Sequence, residues 1–165
     1  MTERSTLLAL VEDLGRELLD RGWMCTTAES CTGGGIAEAL TELSGSSLWF
    51  ERGFVTYSNE AKQEMLGVAA ATIQRCGAVS EETAREMAEG ALVHSRAQAA
   101  LAVTGIAGPT GGTADKPVGT VVFAWAVEGG PTTTRVRRLE GDRRTVRSAA
   151  IEEAIEGMLG RMRGS

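Results

Sequence analysis

The stretch AESCTGGG at residues 28–35 places Ser30 and Cys31 between a short apolar run and three glycines. A helical pattern begins directly after the glycines, so the stretch reads as strand, tight turn and helix N-terminus. A helix N-terminus presents unpaired N–H groups and a partial positive charge. Such a turn holds an anion, or stabilises an oxyanion beside a nucleophile. Ser30 is therefore either a helix cap or a nucleophile, and a nucleophile needs a base. The single histidine, His94, falls at the end of a helical pattern with nothing beside it in sequence to complete a Ser-His-Asp triad.

A lysine is the remaining candidate base. Of the 17 basic residues only Lys62 and Lys116 are lysines. Arginine keeps its proton near neutral pH, whereas a desolvated lysine can lose it. A lysine retained in an arginine-biased chain thus draws attention to its chemistry. Lys62 closes TYSNEAK, residues 56–62, in which Tyr57 ends a strand pattern and Lys62 falls early in a short helix. From there it can point back toward the end of the first strand. To act as a base near pH 7 its pKa must fall by about 3, through burial or a nearby cation. Tyr57 would relay a proton or hold the amine. The alternative is a solvated Lys62 beside a core Tyr57. Cys31 is the rival nucleophile, because a helix N-terminus lowers a thiol pKa. Without a histidine partner it ranks below Ser30 and is expected to pack.

Two further segments suit a polar ligand. TGIAGPTGG at 104–112 exposes many backbone amides after a buried strand, and reads as a ligand-wrapping loop or a flexible connection. Arg143, Arg144 and Arg147 fall in the first turn of the last helix, where cations oppose the dipole. They are either solvated or gathered around an anion such as a phosphate. GGG at 33–35 lacks the Gly-Lys-Ser/Thr of a P-loop, and GIAG at 105–108 is not a dinucleotide fingerprint. One histidine and three cysteines without ligand spacing give no expectation of a metal or a cofactor.

The elements that must position these residues follow from periodicity. Helical spacing covers 2–20, the segment after Gly35, a short piece at 59–66, a stripe after Ser80 and the stretch after Asp142. Strand patterns cover 24–28, 48–57 (with Gly53 a candidate bulge), 99–104, and a hairpin of 119–127 and 132–139 across Gly129-Gly130. Strands alternating with helices predict an α/β fold over 1–165: a single layered domain with a mixed, mostly parallel sheet flanked by helices. Both glycine-rich loops then lie at strand C-terminal ends, where open α/β sheets bind ligands. A net charge of −5 and 4% aromatics speak against nucleic-acid binding. The start MTERSTLLAL has no signal-peptide pattern and no apolar run approaches a membrane span, so no membrane association is expected. Cys25, Cys31 and Cys76 read as reduced thiols of a cytoplasmic protein. Trp23, Trp49 and Trp125 are expected in the core, with an interface as the alternative.

Four segments together resemble a known family. AESCTGGG, VTYSNEAKQEMLGV at 55–68, VTGIAGPTGG with KPVGTV at 103–121, and GDRRTVR at 141–147 resemble the C-terminal domain family of the competence/damage-inducible protein CinA. The resemblance runs in order over nearly the whole chain. It implies a nicotinamide-nucleotide amidohydrolase, converting nicotinamide mononucleotide (NMN) and water to nicotinate mononucleotide and ammonia in pyridine nucleotide salvage. It also implies a Ser-Lys site, the stand-alone rather than the two-domain form, and a homo-oligomer. Mapped by motif, Ser30 is the nucleophile, Lys62 the base and Tyr57 its assistant. In the resulting scheme the amides of Cys31, Thr32, Gly33 and Gly34 meet the oxyanion. Glu29, Asn59, Thr104, Gly105, Gly108, Arg143, Arg144 and Arg147 contact the nucleotide, with an arginine on its phosphate, since one helix N-terminus cannot serve both anions. The alternative is a non-catalytic nucleotide-binding or partner-binding module of the same family.

Overall fold

The structure is a computed structural model and describes residues 2–164. Helix α1 (Glu3–Arg21) is capped by the Thr2 hydroxyl and leads to β1 (Cys25–Glu29). The Ser30 turn joins β1 to α2 (Gly35–Thr41), and a 3-10 turn at 46–48 precedes β2 (Phe50–Val55). Helices α3 (Asn59–Leu66), α4 (Ala70–Cys76) and α5 (Glu81–Val93) lead to β3 (Ala99–Gly105). The hairpin of β4 (Thr120–Val127) and β5 (Thr133–Arg138) precedes α6 (Arg143–Met162).

The five strands form one sheet in the order β2-β1-β3-β4-β5. Strands β2, β1 and β3 pair in parallel, and β4 runs antiparallel to both of its neighbours. The sheet is therefore mixed, with β4 alone reversed. Side chains alternate across it with period two. Leu101, Val103, Val121, Phe123 and Trp125 face a core shared with α1, α2 and α6. Ala100, Ala102, Val122, Ala124 and Ala126 face the opposite core with Leu66 of α3 and Ala84, Met87, Ala88 and Ala91 of α5. The alanines on that second face let α5 lie close. Trp49 and Trp125 are buried, and the Trp125 indole donates to the Ala154 carbonyl of α6 at 2.8 Å. Among the described residues, no helix is long and apolar enough to cross a membrane.

Three local features differ from the sequence expectation. Helix α4 was not expected; it is seven residues long with no side-chain cap, too short to show a periodic stripe. Strand β2 starts at Phe50 because 46–48 close a 3-10 turn. The irregularity in its pairing falls opposite Cys25/Thr26, not at Gly53. Gly53 is needed for close approach instead, since a Cβ there would lie 2.6 Å from Thr27 Oγ1.

Topology decides what meets at the strand ends. Strand β1 lies between β2 and β3, so the chain leaves β1 toward one neighbour and later returns on the other side. That reversal is where open α/β sheets bind ligands. The Ser30 amide donates to the Val103 carbonyl at 3.0 Å, and the Thr56 amide to the Glu29 carbonyl at 2.8 Å. The ladder thus runs one residue past the strands and holds the three C-terminal ends level.

The height of α3 on the sheet is set by Gly90 of α5. A Cβ at Gly90 would lie 1.9 Å from the Leu66 carbonyl oxygen at the end of α3. Alanine raises helix propensity by about 1 kcal/mol over glycine, yet here it must displace backbone. Gly90→Ala is expected to lower stability by about 1–3 kcal/mol, as overpacked cores do. A fall in the urea unfolding midpoint checks this; an unchanged or raised midpoint contradicts it.

Candidate active site

Helix α3 begins with the Ser58 hydroxyl accepting from the Ala61 amide, which fixes the first turn and the direction of Lys62. The aliphatic stem of Lys62 runs inward, and the residue is only 1% exposed. Its Nζ donates to the Thr56 carbonyl at 2.8 Å and lies 3.0 Å from Ser30 Oγ, within hydrogen-bond distance. Ser30 itself is 7% exposed. Among the described residues Lys62 has no ion-pair partner. Removal from water disfavours the ammonium form, so burial holds the Lys62 pKa below the ordinary lysine value. A neutral amine beside a serine hydroxyl can take its proton. Burial also pushes the Cys31 thiol up to about 11, so Cys31 is a packed thiol rather than a thiolate nucleophile.

The helix N-terminus after the turn does not wait for a ligand. Glu29 is fully buried, and its carboxylate accepts from Thr32 Oγ1 at 2.6 Å, the Ile36 amide at 2.8 Å and the Ala37 amide at 3.1 Å. The chain thus supplies its own anion to α2. Glu29 was expected to touch the nucleotide; with its carboxylate enclosed by these donors, it braces the turn instead. The Gly33 amide donates to the Ser30 carbonyl and the Gly35 amide to the Thr32 carbonyl, both at 2.9 Å. Gly33 is therefore already engaged among the four expected oxyanion donors. Gly33 and Gly34 have φ of 59° and 99°, which only glycine adopts without strain in so tight a turn.

The other expected residues divide in two. Thr104 is buried and donates to the Ala78 carbonyl at 2.8 Å, tying β3 to the segment before α5. Its hydroxyl serves the fold. A Cβ on Gly105 would approach Cys31 Sγ to 3.1 Å, so that glycine admits the Ser30 turn beside β3. Arg147 reaches back from α6 to the Cys31 and Thr32 carbonyls. Toward solvent, Tyr57 is 60% exposed and does not hold the lysine; the Thr56 carbonyl does. The Tyr57 hydroxyl accepts from Arg143 Nη2 at 2.8 Å, and Arg143 Nη1 donates to the Gly108 carbonyl at 2.9 Å. Arg143 and Arg144 line a cavity of about 570 Å³ with Ala107, Pro109 and Asp142. Asn59 is exposed at the start of α3. The Thr56 carbonyl carries no sequence signal, since every residue has one.

The amino-acid sequence matches the CinA C-terminal domain over residues 7–162. It is 53% identical over 152 residues, 92% of each chain, to the nicotinamide-nucleotide amidohydrolase PncC of Escherichia coli K12. It is 47% identical to the protein of the same name from Pseudomonas putida, over 93% of this chain and 95% of that one. Among solved structures, the competence/damage inducible protein CihA of Agrobacterium tumefaciens superposes with a TM-score of 0.92 at 46% identity. That match spans 99% of this chain and 97% of the other. The chain belongs to the CinA C-terminal domain family.

Proposed function

We propose that the chain is an amidohydrolase that deamidates NMN to nicotinate mononucleotide and ammonia through an acyl-enzyme on Ser30, with Lys62 as general base. The observation that carries this reading is the buried amine of Lys62, 3.0 Å from Ser30 Oγ. The names of the relatives from E. coli and P. putida support the substrate. Neutral Lys62 takes the Ser30 proton as Oγ attacks the carboxamide carbon. The oxygen of the tetrahedral intermediate is met by amides of the turn other than that of Gly33, which Ser30 already holds. The Lys62 ammonium then returns the proton to the departing nitrogen, and ammonia leaves. Water attacks the ester with Lys62 again as base; Ser30 is reprotonated and the nicotinate carboxyl is released. The Thr56 carbonyl aims the amine through both halves. Arg143 and Arg144, which line one cavity, are assigned to the nucleotide phosphate, and Tyr57 to the orientation of Arg143.

The direct test is ammonia release from NMN. Ser30→Ala is expected at background, and Lys62→Met reduced by about 10²–10⁴-fold. Wild-type activity in Ser30→Ala would sink the mechanism. Stabilisation of the wild type by NMN with no turnover would support the binding-module alternative.

The lowered pKa of Lys62 sets two further expectations. The neutral fraction grows with pH, so kcat/KM rises with pH through the lowered pKa, and this limb disappears from the residual rate of Lys62→Met. The folded state binds the Lys62 proton less tightly than the unfolded chain does. Stability therefore rises with pH between the folded and unfolded pKa values and is lost as pH falls. Lys62→Met is expected to gain stability relative to wild type as pH falls, with the difference levelling off toward about pH 10.4. Urea denaturation of both proteins across this range checks the sign; a gain that grows with pH instead contradicts it.

A further inference from the structure

The Ser30 turn contains more amide donors than it has free. The Ser30 amide is taken by the Val103 carbonyl, that of Gly33 by Ser30 and that of Gly35 by Thr32. The Ile36 and Ala37 amides are taken by the Glu29 carboxylate. The helix start is thus closed to a substrate oxyanion. The amides of Cys31, Thr32 and Gly34 remain; those of Cys31 and Thr32 follow the nucleophile directly, and the Thr32 amide is oriented from outside the turn. Arg147 Nε donates to the Cys31 carbonyl at 3.1 Å and Nη2 to the Thr32 carbonyl at 3.3 Å. The Cys31–Thr32 peptide is trans, so its N–H points opposite its C=O. Drawing the Cys31 carbonyl toward α6 turns the Thr32 N–H away from α6.

We propose that Arg147 is a positioning residue that builds the oxyanion hole of Ser30, whose donors are the Cys31 and Thr32 amides. The inference rests on the amidohydrolase reading and deepens it. The turn needs such a brace because Gly33 and Gly34 follow directly and leave its peptides little steric restraint. Two adjacent carbonyls match the planar fork of a guanidinium, which a lysine cannot reproduce. The glycine at 33 admits the fork, since a Cβ there would stand 3.3 Å from Arg147 Nη2. Arg147 is half-buried with this edge directed at protein backbone, which removes it from the arginines assigned to phosphate.

The test uses Arg147→Lys and Arg147→Met, each assayed on NMN and on nicotinamide riboside, which lacks the phosphate. It also follows labelling of Ser30 by a small fluorophosphonate, in which Ser30 Oγ displaces fluoride at phosphorus. That reaction uses the oxyanion donors but no nucleotide contact. The expected result is a loss of kcat of about 10²–10³-fold, equal on both substrates, with KM within about twofold and labelling slowed in parallel. Arg147→Lys should keep a cooperative melt. A rise in KM confined to NMN would make Arg147 a phosphate ligand and overturn the proposal, as would wild-type labelling rates in both variants. Collapse of the fold in both variants would assign Arg147 to stability alone and overturn it too. If the wild type releases no ammonia from either compound, the amidohydrolase reading fails, while the labelling rates still decide the role of Arg147.

Discussion

The amine of Lys62 is a cation by default, and the fold takes it out of water. That constraint organises the surrounding structure. The desolvation cost of a buried ammonium is large, and a lysine without a counter-charge meets it by losing its proton. Lys62 has a backbone carbonyl and a serine hydroxyl as its hydrogen-bond partners, which suit a neutral amine. Arginine at this position would keep its charge and could not perform the same task. The parallel pairing of β1 with β2 brings the Ser30 turn beside the Thr56 carbonyl. The cap at Ser58 and the close approach at Gly90 then set the direction and depth of α3.

Glu29 presents the opposite solution to burial one residue before Ser30. Its carboxylate accepts from a hydroxyl and two helix amides, so the buried oxygens have the partners that burial demands. This arrangement changes how the glycine turn works. A free helix N-terminus beside Ser30 would attract any anion, including the nucleotide phosphate. With Glu29 seated there, the α2 amides are closed off and the turn has only its own peptides to offer. The guanidinium groups of Arg143 and Arg144 lie apart from that turn, along a separate cavity with Ala107 and Pro109.

Much of the fold was legible because period and punctuation agree along the chain. Continuous apolar runs in β3 and β4, the helical stripe of α5, and the caps at Ser80 and Asp142 each announce their element locally. Helix α4 was not legible: Ala70–Cys76 is too short for a stripe and starts without a capping side chain. Gly53 was read as a bulge because sequence cannot distinguish a glycine needed for its φ from one needed for a neighbour's hydroxyl. In the site, Ser30 and Lys62 stood out by residue type, since a serine before glycines and a rare lysine are visible in one dimension. The hydrogen bonds of Glu29, Thr104, Tyr57 and Arg147 were not legible, because each runs to a partner at least three residues away or to a backbone atom.

The sequence by itself determined the functional groups available: a hydroxyl at a glycine turn, two lysines in an arginine-biased chain, and a net charge of −5. Resemblance of four ordered motifs added the family, and with it a substrate class that residue types alone do not encode. Tertiary structure decided which groups meet and which way burial shifts the proton affinity of Lys62. Distance and desolvation are properties of packed neighbours, and those neighbours come from β1, β2, β3, α3 and α6. The lowered pKa of Lys62, the occupation of α2 by Glu29 and the grip of Arg147 on the turn all arise there, from groups that chain order keeps apart.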